Sequence, residues 1–288
     1  MRSIINWQEL QDMVMGQSQQ QGKGADAPQH VNWDENADMY NQMAAMEASY
    51  TLNQINCFEA GKDDTVLDIG CGPGRITVPM AKRVKKVTSI DTSENMMTYC
   101  RQNAQEANVS NVNIRNLDWT KAELGKDLEQ HDIVIACRSV GMRDFAKLNA
   151  FARKYVVVIA WANADCIPDI IDELFLGADG RGESRHHVII PRDRRVGYNV
   201  MWNTAYDMGF DPNISIVIDG FTKDYASKEE AYADLSRLGK VAEGKERIFQ
   251  SNVDQYLSLN DQGGITFRRE TKSFVMWWEP KLNMNTSE

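Results

Sequence analysis

Residues Thr65–Lys82 read TVLDIGCGPGRITVPMAK. Val66, Leu67 and Ile69 make an apolar run of strand type around one acid, Asp68. Gly70, Gly72 and Gly74 follow in alternation, and Ile76, Val78, Met80 and Ala81 lead into a helix. A buried strand that ends in glycines and turns straight into a helix makes a ligand cradle. Glycine lets the backbone approach a ligand closely and take positive φ without strain. The helix start adds unpaired N–H groups and a partial positive charge.

On the C-terminal side an α/β rhythm continues. Strands are expected at Lys86–Ile90, ending in Asp91, and at Val112–Leu117, ending in Asp118. Two more are expected at Asp132–Ala136, ending near Cys137, Arg138 and Ser139, and at Tyr155–Trp161. Helices at Ser93–Ala107, capped by Thr92 or Ser93, and at Arg143–Ala152 alternate with them. Unbroken apolar strands alternating with helices mean a parallel sheet covered on both faces. Past Ala162 the pattern predicts helices at Ile167–Leu176, Arg195–Met208, Lys228–Leu238 and Asn252–Leu259. A Gly-rich loop at Gly177–Gly182, an extended piece at His187–Pro191, and strands at Ile214–Thr222 and Gly264–Trp278 complete this half.

On the N-terminal side Asn32–Phe58 reads as one long helix, with Met39, Met43, Met46 and Tyr50 on one face. Gln17–Gln29 reads as a flexible connector. Ser3–Val14 is a short amphipathic helix, read either as a terminal clip or as a homodimer contact. The expected organisation is an N-terminal helical arm and lid (1–58) and a binding core (59–162). Substrate-cap insertions carrying a core helix and strand (163–262) and a final strand with tail (263–288) follow.

The chain of 288 residues is long enough for a sizeable core. Its longest clean apolar run, Tyr155–Ala162, is far short of a membrane span, and MRSIINWQELQDM lacks the apolar segment of a secretory signal. Five scattered cysteines with no CxxC pair suggest neither disulfides nor a metal site, so the expected location is cytoplasmic. The net charge of −9 argues against a general nucleic-acid binder. One basic segment stands out, with five arginines between Arg181 and Arg195 beside His186 and His187.

The acids at the strand ends carry chemistry. In an open parallel sheet, ligands bind at the carboxyl ends of strands. Asp91 is placed to accept hydrogen bonds from ribose hydroxyls, Asp118 from an adenine amino group, and Asp68 to hold an ammonium directly or through water. A dinucleotide fingerprint wants G-x-G-x-x-G for a pyrophosphate. Here Arg75 stands at its last position, the third glycine comes early at Gly74, and Asp68 adds a like charge. Both points favour S-adenosylmethionine, which carries no phosphate.

VLDIGCGPG (Val66–Gly74), SIDTSENMM (Ser89–Met97), NLDWT (Asn116–Thr120) and HDIVIACRSV (His131–Val140) resemble the class I S-adenosylmethionine-dependent methyltransferases over roughly residues 60–162. The resemblance implies a Rossmann-like, doubly wound α/β sheet of seven strands, mostly parallel with an antiparallel last strand, plus N-terminal helices and an inserted helical cap. It implies that Asp68, Gly70, Cys71 and Gly72 cradle the methionine side, and that Asp91 binds the ribose. Thr92 and Met96 would flank the adenine, Asp118 and Trp119 close over it, and Cys137 and Arg138 lie by the sulfonium. Tyr40 matches the position where many relatives lay a tyrosine over the cofactor. The product would be S-adenosylhomocysteine.

Motifs for polymer acceptors are missing, so the leading acceptor is a small molecule. Tyr40, His186, His187 and Asp165 are the candidates for a base, and Arg185, His186 and Arg192 for an anionic acceptor group. Partner buried-strand charges are expected at Asp68 or the cofactor carboxylate for Arg138. Cys57, Cys137 and Cys166 admit a poor match to arsenite methyltransferases. A protein or RNA acceptor, or a non-catalytic S-adenosylmethionine-binding regulator, are the alternatives.

Overall fold

The computed structural model describes residues 5–20, 32–179 and 197–281. The connector at 21–29, the extended piece at His187–Pro191 and the basic segment with His186, His187, Arg185 and Arg192 lie outside these residues. The helices are α1 (Trp7–Gln20), α2 (Ala37–Met46), α3 (Ala48–Ile55), α4 (Thr77–Ala81), α5 (Glu94–Glu106), α6 (Phe145–Phe151), α7 (Ile167–Phe175), α8 (Tyr198–Asp207), α9 (Lys228–Leu235) and α10 (Glu246–Asp254). The strands are β1 (Thr65–Ile69), β2 (Lys86–Asp91), β3 (Val112–Asn116), β4 (His131–Cys137), β5 (Ala152–Trp161), β6 (Asn213–Tyr225), β7 (Leu257–Leu259) and β8 (Ile265–Trp278).

The sheet runs β3-β2-β1-β4-β5-β8-β6, with β7 paired to β8 off this path. Strands β1 to β5 are parallel neighbours, and β8 runs antiparallel to β5, β6 and β7. The order reverses at β1 and β4, which leaves a crevice at the carboxyl ends of these two strands. Val66, Leu67, Ile69, Ile133, Val134, Ile135 and Ala136 are all buried, as strands covered on both faces require.

The expected doubly wound α/β architecture with an antiparallel last strand is what the chain adopts. Three local expectations are corrected. Asn32–Phe58 is two helices, because Glu47 interrupts the run between α2 and α3. Leu257–Leu259 pairs with Phe267, Thr266 and Ile265 as β7, an eighth strand, where a helix was expected. The first helix continues to Gln20, into the stretch read as connector.

Caps set several boundaries that position the crevice. The Ser93 side chain accepts from the Met96 N–H at 3.1 Å and starts α5 directly after Asp91. Asp144 does the same for Lys147 at the start of α6. The α1 helix packs on α8, and buried Gln11 donates to the Met142 carbonyl at 3.1 Å. The segment before α2 lies on the start of α5: Asp34 accepts from Ser93 Oγ at 2.5 Å and from the Asn95 N–H at 3.1 Å.

Candidate functional site

The glycine turn has the conformation its residues permit. Gly70, Gly72 and Gly74 take φ of 69°, 53° and 91°. A Cβ on Gly70 would fall 2.6 Å from the Cβ of Ser139, and one on Gly74 2.8 Å from Cys100 Sγ. At Gly72 the nearest atom would be Met96 Sδ at 3.9 Å, so there only the left-handed backbone demands glycine. Ser139 Oγ, beside Gly70, is buried with no hydrogen-bond partner. A backbone cradle kept clear of side chains, with an orphan hydroxyl at its edge, fits a polar ligand lying across the ends of β1 and β4.

Asp91 closes the cradle. Its Oδ2 accepts from the Gly72 N–H at 2.9 Å, and its Oδ1 from the Thr92 and Ser93 N–H groups at 2.8 and 2.9 Å. A carboxylate has about four acceptor sites, so Oδ2 retains room for an incoming hydroxyl. Asp68 is buried beneath the turn and accepts from Thr77 Oγ1 at 2.6 Å. Burial pushes its carboxyl from the ordinary 3.8 to about 6, against the lowering pull of the Thr77 hydrogen bond and of Arg75. Cys71 is buried in the turn, with Met96 buried nearby and Thr92 exposed.

Two expectations at the adenine side meet a different environment. Trp119 is only 3 % exposed and stacks edge-on to Phe151 at 4.9 Å, inside the main core. It is a core aromatic, because the turn after β3 points it inward to Phe151, and its ring is not free to close over a base. Asp118 organises its own turn, accepting from the Thr120 N–H at 3.0 Å and Oγ1 at 2.7 Å and pairing with Lys121 at 3.0 Å. These bonds, the Thr120 hydroxyl first, hold its carboxyl below the usual range.

Beyond β4 the structure assembles a cluster that the sequence reading only touched. Arg138 follows β4 with φ of 51°. Its guanidinium lies 3.2 Å from the centroid of the Trp161 ring at the end of β5. It pairs with Glu47 at 2.6 Å and with Asp219 at 2.5 Å, rather than with Asp68. Asp219, on β6, is fully buried and also accepts from Gln54 Nε2 at 2.7 Å and Ser273 Oγ at 2.5 Å. Arg75, from the glycine turn, donates to Thr51 Oγ1 at 3.0 Å, Gln54 Oε1 at 2.8 Å and Cys137 Sγ at 2.6 Å, and lies 3.5 Å from Glu47. Burial pushes the Cys137 thiol up, opposed by both arginines.

Glu47, Asp219 and Trp161 were not singled out from sequence, and Arg75 only as the residue that breaks a dinucleotide fingerprint. The signal was present in part: Glu47 and Asp219 are lone acids inside the apolar stretches MAAMEASYTL and ISIVIDGF, and a buried charge needs a partner.

Tyr40 is half-buried with its ring edge-on to Trp33 at 5.3 Å. Burial, aided by Cys166 and Glu47 and opposed by Arg138, pushes its phenol up to about 12. The raised value keeps the proton on the phenol near neutrality. Asp165, a further base candidate, is paired with Arg269 at 2.7 Å. Among the described residues no group of three or more His, Cys, Asp or Glu could hold a metal ion, so Cys57, Cys137 and Cys166 form no such cluster. A separate cavity of about 200 Å³, lined among others by Lys86, Arg115 and His131, shares no residue with the crevice.

Comparison with known proteins agrees with this geometry. Residues 66–160 match the family model described as a methyltransferase domain. A Haemophilus influenzae protein described as uncharacterized is 25% identical over 258 residues, spanning 86% of this chain and 88% of its own length. A "Probable cobalt-precorrin-6B C(15)-methyltransferase (decarboxylating)" of Methanobrevibacter smithii is 36% identical over 73 residues, 25% of this chain and 38% of that protein. The 23S rRNA (uracil(1939)-C(5))-methyltransferase RlmD of Aeromonas hydrophila is 34% identical over 74 residues, 26% of this chain and 16% of that protein. With both named enzymes the likeness is thus confined to a minor part of their length. No helix among the described residues is long and apolar enough to cross a membrane. The matched family model and the crevice are built by the same residues: residues 66–160 form a methyltransferase domain, with S-adenosylmethionine as its methyl donor.

Proposed function

We propose that the chain methylates a small-molecule acceptor carrying an anionic group, by in-line transfer. The observation that carries this reading is the burial of the acceptor side. Glu47 and Asp219, the partners of Arg138 beyond β4, are 2 % and 0 % exposed, the Arg75 side chain that also pairs with Glu47 is 9 % exposed, and Glu47 sits between α2 and α3. An acceptor reaching that place has to fit beneath these helices, which suits a small molecule better than a polymer.

S-adenosylmethionine supplies an electrophilic methyl on a sulfonium. In this reading the Gly70–Gly72 backbone, Cys71 and Asp68 hold its methionine end. Asp91 receives the ribose through Oδ2, Thr92 and Met96 flank the adenine, and Asp118 stands at its rim. Cys137 and Arg138 border the reacting atoms, and Tyr40 contributes its ring and a neutral hydroxyl. Alignment then carries most of the rate. A base is needed only for an acceptor that must lose a proton, and His186 remains the proposed one. The N-terminal helices act as the lid over residues 59–162, with the cap drawn from 163–262.

The experiment is a metabolite screen for methyl acceptance, scored by S-adenosylhomocysteine formation. Turnover on one or more small anions is expected. Turnover confined to RNA or protein, or cofactor binding without turnover on any acceptor, would overturn the reading.

A further inference from the structure

We infer that Arg75 and Arg138 form a receptor for a carboxylate of the acceptor, and that Glu47 fills it while no acceptor is bound. This rests on the small-anion reading above and names the anion. The two oxygens of Glu47 address different guanidiniums, Oε1 at 2.6 Å from Arg138 Nη1 and Oε2 at 3.5 Å from Arg75 Nε. That is the arrangement an acceptor carboxylate would adopt between two arginines.

Both cations are held in place from their other sides. Arg138 keeps Asp219, Ser273 and the Trp161 face. Arg75 keeps Thr51, Gln54 and Cys137. Withdrawing Glu47 thus leaves two fixed guanidiniums facing one carboxylate, Asp219, and Arg138 Nε already lacks a partner while buried. Leaving buried charge unpaired is costly, whereas exchanging one carboxylate for another on the same donors is not.

Glu47 is also the one residue between α2 and α3. Its backbone is bonded on both sides, the Glu47 N–H to the Met43 carbonyl at 3.0 Å and the Thr51 N–H to the Glu47 carbonyl at 2.9 Å, so the carboxylate would leave the arginines by rotation of the side chain with both helices intact. The position favours the acceptor over the cofactor. Arg138 directly follows β4, and Trp161, Ser273 and Asp219 stand on β5, β8 and β6, on the far side of β4 from Asp91 on β2, while Arg75 reaches across from the glycine turn.

The test is calorimetry on the full chain saturated with S-adenosylhomocysteine. The probes are acetate, benzoate and succinate against acetamide, benzamide and succinamide. The carboxylates should bind and the amides should not. Glu47→Gln, which keeps the size but not the charge, should bind them roughly tenfold or more tightly, and Arg138→Lys should lose a comparable factor. Equal binding of amides, or no gain in Glu47→Gln, overturns the receptor. If carboxylates bind the methylthioadenosine-loaded protein but S-adenosylhomocysteine expels them, the receptor serves the cofactor's own amino acid and the inference fails. In the parallel acceptor screen, turnover on small molecules lacking a carboxylate sinks the receptor alone. Turnover only on a polymer sinks the small-anion reading as well.

Discussion

Asp68 is an acid that the fold makes less acidic. Burial is the main cause of the shift from 3.8 to about 6. The folded chain therefore holds a proton between roughly pH 4 and 6 that the unfolded chain has lost, and stability falls as pH rises through that window. Above it the ionised carboxylate costs about 3 kcal/mol, at about 1.4 kcal/mol per unit. Asp68→Asn keeps an acceptor for Thr77 and removes the charge. Its stability advantage over the parent should be absent near pH 4 and grow to full size above about pH 6. Affinity for the cationic amino group of the cofactor should run the other way. It should fall in the parent as pH drops through about 6, and be weaker and flat in Asp68→Asn. Denaturation and calorimetry across that range check both, and parallel stability curves would remove Asp68 as the titrating group. The cradle residues were legible because their meaning is local: Asp68, Gly70, Gly72 and Asp91 sit within one strand–turn–helix–strand unit. The Glu47–Arg138 pair was not, because its members are 91 residues apart and only the folded sheet brings them together.

At the level of elements, alternation of strands and helices was enough to find β1 to β5: β1, β2, β4 and β5 each carry a run of four buried residues, and β3, with none fully buried, was found from its place in the alternation. The short elements were harder. β7 has three residues and owes its existence to the β8 edge it pairs with, a cause that no local window contains. The break at Glu47 was hidden for a related reason, because the methionine periodicity continues across it: Met43, Met46 and Tyr50 are buried on both sides of the break. The α1 helix belongs to the body through α8, where Thr204 Oγ1 donates to the Trp7 carbonyl, and through the Gln11–Met142 bond. Gln11→Ala should therefore lower unfolding stability by about 1 kcal/mol, the size of one neutral buried hydrogen bond. S-adenosylhomocysteine affinity should stay as in the parent. A clear change in that affinity would mean that α1 acts on the crevice, and the clip reading would fail.

On the scale of the whole molecule, charge decides between acceptors that the core cannot tell apart. The likenesses to a precorrin methyltransferase and to an rRNA methyltransferase each cover only about a quarter of the chain and point to different acceptors, so together they favour neither. Proteins that grip nucleic acid draw affinity from releasing counterions with many lysine and arginine contacts. This chain carries −9 overall, with residues 1–60 holding eight acids against only Arg2 and Lys23, and its five clustered arginines confined to one short segment. A single basic segment set in a negative field neutralises few phosphates, and the attraction it offers is screened within about 8 Å at physiological salt. Binding to a mixed RNA pool at about 0.15 M salt should accordingly be no tighter than the non-specific range of roughly 10⁻⁴ to 10⁻⁶ M, with a shallow salt dependence. A filter-binding series at several salt concentrations measures both quantities. Nanomolar affinity with a steep slope would show that the basic segment overrides the net charge. The acceptor would then have to be sought among polymers, and the buried Arg75–Arg138 cluster would be a brace between lid and sheet rather than part of an acceptor site.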